Sequence, residues 1–126
     1  MSGSEQENYA QNLRAAQLNQ RTEQIRALND RLRQELAGGL VTITAGVEAL
    51  GLIGVTAVLQ AVRTFDDFSD GNDPHGEHDF GAFNIPGHRI FWKIDHYDRQ
   101  LQYGSPDPTN PEVTTRVITV MLASEY

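Results

Sequence analysis

At 126 residues the chain is long enough for one domain around a single modest core. It has no cysteine, which excludes a disulfide framework, a zinc–thiolate site and a thiol nucleophile. Its formal net charge is -7, and residues 38–126 carry all of the excess: twelve acids against five cations, where residues 1–37 balance five acids with five arginines.

An acidic surface disfavours direct nucleic-acid or anionic-membrane binding, because phosphate contact is driven by neutralising cations. It suits a basic protein partner, or mimicry of nucleic acid. The N-terminus is polar where a secretory signal would be apolar, so a cytoplasmic location is expected. Residues 40–62 hold Glu48 as their only charge. Three glycines and three threonines interrupt that stretch, so a strand and a buried helix fit it better than a membrane span, which needs about 20 strongly apolar residues.

Ser4-Glu5-Gln6-Glu7 has the form of a capping box, so a helix can begin at Ser4. Leu18, Ile25, Leu28, Leu32 and Leu36 then recur on one narrow stripe, and Gly38-Gly39 supplies a left-handed stop. Before Leu18 only Tyr9 and Leu13 are apolar on a comparable face. Residues 1–24 are therefore expected to form a helical extension, with a possible role in homodimer formation, and residues 25–126 a single α+β domain.

Leu40–Thr44 is a β-branched run and reads as a strand. After a turn-rich connection, Leu52, Val55, Val58, Leu59, Val62 and Phe65 recur with helical period. Asp66, Asp67, Asp70, Asp73, Glu77 and Asp79 follow without one lysine or arginine between Thr64 and His88, and Asp70-Gly71-Asn72-Asp73-Pro74 is dense turn chemistry. Phe80–Ile85 and Arg89–Tyr97 read as two strands joined at Pro86-Gly87 by a type II turn. Ile90, Trp92 and Ile94 should face the core, with Gly81 small because the indole lies across it. Leu101–Tyr103 allows a short further segment. Asn110-Pro111-Glu112 looks like a helix start, and Val113, Val117, Val120 and Met121 follow at helical spacing. The expected order is α-β-α-β-β-α: a long N-terminal helix, a small antiparallel sheet with a central hairpin, and two further helices packed on it.

Asn72–Gly81 concentrates two histidines and three carboxylates in ten positions. If Ile85 lies opposite His88, the same register sets His78 opposite Asp95, with Lys93, His75, Asp73 and Glu77 nearby. His75 and His78 could ligate a metal, but no third ligand is dictated. A calcium loop counted from Asp66 fails at Phe68 and Pro74. A His78–Asp95 pair has the form of a general base and its orienting carboxylate, yet no serine nucleophile or phosphate-binding glycine motif accompanies it. The plainer reading has these side chains tying loop backbone to the sheet. His88 and His96 are read as solvated. No cofactor is expected.

Asn72–Gly81, Phe91-Trp92-Lys93-Ile94-Asp95, Gly104-Ser105-Pro106-Asp107-Pro108, Thr115-Arg116-Val117 and Glu125-Tyr126 together resemble domain-of-unknown-function family 3768. The likeness spans Ile25 to Tyr126, with His96 standing where an aromatic is expected. These are small proteins, largely alphaproteobacterial and often carried on mobile elements. The resemblance brings no catalytic residues. It implies a bacterial cytoplasmic protein from a gene pool whose small acidic members often block host defence complexes, CRISPR or restriction machinery included. The expected function is thus a non-enzymatic acidic protein-binding module that uses Asp66, Asp67, Asp70, Asp73 and Glu77. The alternative is a small hydrolase or metal-dependent enzyme built on His75, His78 and Asp95.

Overall fold

A computed structural model describes residues 3–126. Helix α1 (Gly3–Glu35) runs unbroken through the boundary expected at residue 24. It is exposed throughout residues 3–21, Leu18 included, and residues 1 and 2 lie outside the described part. Only Ile25, Asn29, Leu32 and Arg33 of α1 are buried, so its inward stripe is half polar. The stop falls on Leu36 and Gly38, whose φ angles are 55° and 87°.

Strand β1 (Leu40–Ile43) leads into a single helical turn, α2 (Ala45–Glu48), capped by the Thr44 hydroxyl. Helix α3 (Gly51–Arg63) follows and buries Val58 and Val62. β2 (Phe80–Ile85) and β3 (His88–Tyr97) form the expected hairpin, with Ile85 opposite His88, Phe83 opposite Ile90 and Gly81 opposite Trp92. Gly87 has φ 82°, as the second central position of a type II turn requires. A Cβ at Gly81 would collide with the Trp92 indole, so the glycine is needed where it stands.

The C-terminal element corrects the expected helix. Residues Thr115–Leu122 form strand β4, in which Arg116, Ile118 and Val120 are buried at every second position. Thr114, Thr115, Val117, Ile118, Thr119 and Val120 are all β-branched, stiff in χ1 and suited to a pleated surface. The Asn110-Pro111-Glu112 start is real but caps only a turn. The Asn110 Oδ1 accepts from the Glu112 amide at 2.9 Å, and no helix follows. Leu101–Tyr103 is turn as well, tied by a lone bridge between Tyr97 and Gly104.

The sheet order is β1-β4-β3-β2. β4 pairs antiparallel with β3 and parallel with β1, so the sheet is mixed rather than antiparallel and the fold remains α+β. Helices and sheet share one core of Leu32, Val47, Val58, Val62, Ile90, Trp92, Ile94, Ile118 and Val120. By alternation the opposite sheet face carries Phe80, Phe91, Lys93, Asp95 and Met121, with Tyr126 edge-on to Phe91 at 5.7 Å. The Glu125 carboxylate accepts from Thr44 Oγ1 at 2.7 Å and the Gly46 amide at 3.1 Å, which fastens the C-terminus to the β1–α2 corner. Those bonds hold its carboxyl below the ordinary range.

Candidate functional site

The acidic loop leaves α3 and is anchored at once. Phe65 and Phe68 pack edge-on against Trp92, with centroids at 5.5 and 6.2 Å. The next turn is pinned by Asn72, whose Oδ1 accepts from the Ser69 amide at 2.7 Å while its Nδ2 donates to the Asp67 carbonyl at 2.8 Å. Backbone bonds from Asp73 to Ser69 and from Gly76 to Asp73 complete it. Asp66, Asp67 and Asp70 project from this knuckle into solvent, and no cation among the described residues is in ion-pair contact with any of them.

Two residues of the expected acidic face behave differently. Asp73 is 7% exposed and turns inward, accepting from the His78 amide at 3.2 Å. Glu77 is half-buried, and burial together with the neighbouring Asp79 charge raises its carboxyl above the usual range. Asp79 is raised as well, chiefly by its own burial.

His78 does not meet Asp95. The β2–β3 ladder ends at Phe80 opposite Lys93, followed by one bond from the Ile94 amide to the Asp79 carbonyl. His78 then takes a left-handed φ of 53°, which swings its ring off the sheet and defeats a register extrapolated past the strand. The ring stacks on Phe68 at 3.7 Å, and Nδ1 lies 2.8 Å from Asp30 Oδ1 on α1. A carboxylate only accepts, so Nδ1 carries the hydrogen. Nε2 is 3.7 Å from Asp73 Oδ2. Asp95 instead pairs with Lys93 at 3.0 Å on the other sheet face, and that bond raises the lysine above its ordinary value. His75 is exposed. The proposed trio therefore does not converge. The loop is tied by its histidine to α1 rather than to the sheet.

Asp30 is shared. Its Oδ1 also takes a charged bond from Arg33 Nη2 at 3.0 Å. Arg33, 1% exposed, spends Nη1 on the carbonyls of Val62, Arg63 and Phe65 at 2.8–3.4 Å, and its guanidinium lies 5.4 Å from the Phe68 and Trp92 rings. A cation thus closes the C-terminus of α3, where the helix dipole favours positive charge by up to about 2 kcal/mol. Arg26, Phe68, Ser69, Asp70, Asp73 and His78 line a shallow cleft of about 200 Å³ beside this cluster.

Beside Asp30 on α1, Asn29 centres a second polar cluster in which Asn29 and Arg116 are buried and His96 is partly buried. Asn29 donates from Nδ2 to the Glu77 carbonyl at 3.0 Å, so its Oδ1 is the acceptor facing His96 Nε2 at 2.9 Å and Arg116 Nε at 3.2 Å. Both donate, which fixes the hydrogen of His96 on Nε2. Burial first, and the Arg116 charge second, lower the His96 imidazole to about 4. His96 is thus a neutral internal donor near neutral pH, a correction to its reading as solvated; His88 is exposed as expected. Arg116 also donates from Nη2 to the Pro108 carbonyl. Asn29, Asp30, Arg33, His96 and Arg116 all escaped the sequence reading. The available signal was Asn29 between Ile25 and Leu32 at spacings of four and three, on the face that the leucine stripe assigned to Leu28.

Among the described residues no group of three or more His, Cys, Asp or Glu is placed to hold a metal ion. None of their helices is long and apolar enough to cross a membrane. No curated protein and no solved structure matches the chain. A family model described as a protein of unknown function (DUF3768) matches residues 43–125, from the end of β1 to the closing turn and without α1. The chain belongs to the DUF3768 family of proteins of unknown function.

Proposed function

We propose that the chain is a non-enzymatic protein-binding module whose acidic knuckle of Asp66, Asp67 and Asp70 docks on a basic partner surface. The supporting observation is that these three carboxylates are exposed, with no cation among the described residues paired to them, on a turn pinned by Asn72. A pinned turn loses little freedom on binding. Three unscreened charges raise the encounter rate and orient the approach. Asp73 supports this surface from below, through the His78 amide, and does not belong to it.

The partner class that fits is a cytoplasmic protein with a basic, nucleic-acid-type groove. Bacterial defence complexes of the CRISPR and restriction type are the first to test, on the associational ground of the family's mobile-element setting. The decisive comparison is capture from a bacterial lysate by the intact chain and by the Asp66→Asn, Asp67→Asn, Asp70→Asn triple variant, each at low and high salt. Retention by the intact chain at low salt only, lost in an equally stable triple variant, is the expected result. Equal retention by both, or capture indifferent to salt, would remove the acidic-knuckle reading.

A further inference from the structure

The molecule buries two arginines, and their charges are handled differently. Arg33 has Asp30 as counter-ion. Arg116, 2% exposed, has none: its donors reach only the uncharged oxygens of Asn29 and Pro108, and no carboxylate among the described residues contacts it. Burial presses its guanidinium toward the neutral form, and the more distant Glu77 charge opposes this. A buried cation without a counter-ion is costly, and removing the partner of a buried pair is among the more damaging changes a fold can suffer. Its Nη1 is free of any hydrogen bond within the described residues.

Arg116 also forms part of the wall of a cleft of about 410 Å³ between the α1–β1 turn and the start of β4. Arg99, exposed and in no ion pair among the described residues, also lines it. No acidic side chain lines the cleft, in a chain whose net charge is -7. Gly38 and Gly39 also line it, and their amides donate to no acceptor among the described residues. Gly39 must lack a side chain, since a Cβ there would stand 2.5 Å from the Arg116 carbonyl oxygen. Its backbone is thereby held against β4. Leu40 and Pro111 give the cleft an apolar side.

We infer that this cleft binds the oxyanion of a small organic molecule, a carboxylate or a phosphate, with Arg116 as the buried counter-charge and Arg99 closing over it. The Gly38 and Gly39 amides donate to the anion, as paired backbone N–H groups do in other anion sites. Leu40 and Pro111 receive the carbon skeleton. The inference is independent of the acidic knuckle, which lies on another loop.

The test is an amide and arginine-Nε NMR titration of the full chain with inorganic phosphate, with benzoate, and with neutral benzamide. Saturable shifts at Gly38, Gly39 and the Arg116 Nε are expected with an anion and not with benzamide; whichever anion saturates at the lower concentration identifies the group. Arg99→Ala should weaken that binding about three- to fivefold, the size of an exposed charge contact. Thr115→Asp should abolish it by placing an internal carboxylate on the cleft wall. Shifts that stay linear with concentration, that benzamide reproduces, or that persist unchanged in a folded Thr115→Asp variant would overturn the site. Should Thr115→Asp fail to fold, an unaltered affinity in Arg99→Ala, whose side chain makes no bond among the described residues, would overturn it instead.

Discussion

Acidification should loosen the contact between α1 and the sheet before it affects the rest of the fold, and His96 is the reason. Its imidazole is lowered from 6.5 to about 4 in the folded chain. The unfolded chain therefore binds the proton more readily, and stability is complete above the unfolded value and falls as the pH drops from 6.5 toward 4. Taken at face value, a shift of this size removes about 2 kcal/mol by about pH 5. His96 is only partly buried, and screening reduces that to about 1 kcal/mol, or roughly 4 °C in midpoint for a domain of this size. Glu77 and Asp79 titrate in the opposite sense. With raised carboxyl values they cost stability when ionised, and they return some of it on protonation at the acid end of the window.

A control separates these contributions. His96→Gln keeps an amide hydrogen for the Asn29 oxygen but cannot titrate, so thermal melts of intact chain and variant between about pH 7 and pH 5 isolate the imidazole. The intact chain should lose about 1 kcal/mol more than the variant over that interval. Parallel pH profiles for the two proteins would refute the reasoning, since a His96 that titrates alike in the folded and unfolded chain contributes no pH dependence to stability.

Three further outcomes follow from particular contacts. Gly81→Ala drives a methyl into the Trp92 indole and should cost about 1–3 kcal/mol in urea denaturation, against near-neutrality if the ring can move aside. Asn29→Leu leaves the His96 and Arg116 donors and the Glu77 carbonyl without their partner, a loss of about 3–5 kcal/mol by the same measurement and far more than a volume-conserving change elsewhere in a core. Removing residues 3–20 deletes only exposed helix, so the melting midpoint should hold, and a clear drop in it would count against this stretch adding little to stability.

Legibility in the sequence divided along physical lines. The β2–β3 hairpin could be read because Pro86-Gly87 sets the turn and alternation sets the faces, and Gly81 beside Trp92 was recognisable as a packing necessity. β4 was misread because a genuine cap at Asn110 and a coincident i, i+4 spacing of valines outweighed the β-branched run. What decides the matter is β1, a parallel neighbour 70 and more residues away in sequence, to which no local pattern points. His78 illustrates a second limit. Register arithmetic holds only while the chain stays extended, and one left-handed residue sent the ring to Asp30. Counting charges likewise placed Asp73 on the surface, where only burial shows that it supports the loop from within.

The buried polar residues of α1 also explain how a chain with 39% apolar residues closes its core. Ile25 and Leu32 are the only buried apolar side chains on that helix, worth about 3–6 kcal/mol together. That is little for a 33-residue element whose residues 3–21 are all exposed. Asn29, Asp30 and Arg33 add bonds to three separate segments: the Glu77–His78 loop, the end of α3, and β3 with β4. Each bond is worth only about 1 kcal/mol when made, but a buried donor left open costs more, so α1 is held in one register by what any slip would leave unpaired. Arg116 is the exception within that arrangement, hydrogen-bonded yet without a counter-charge, at the wall of an open cleft. A buried cation that lacks a counter-charge and keeps one nitrogen without a hydrogen bond among the described residues, beside solvent-accessible space, is an arrangement that an anionic ligand would complete.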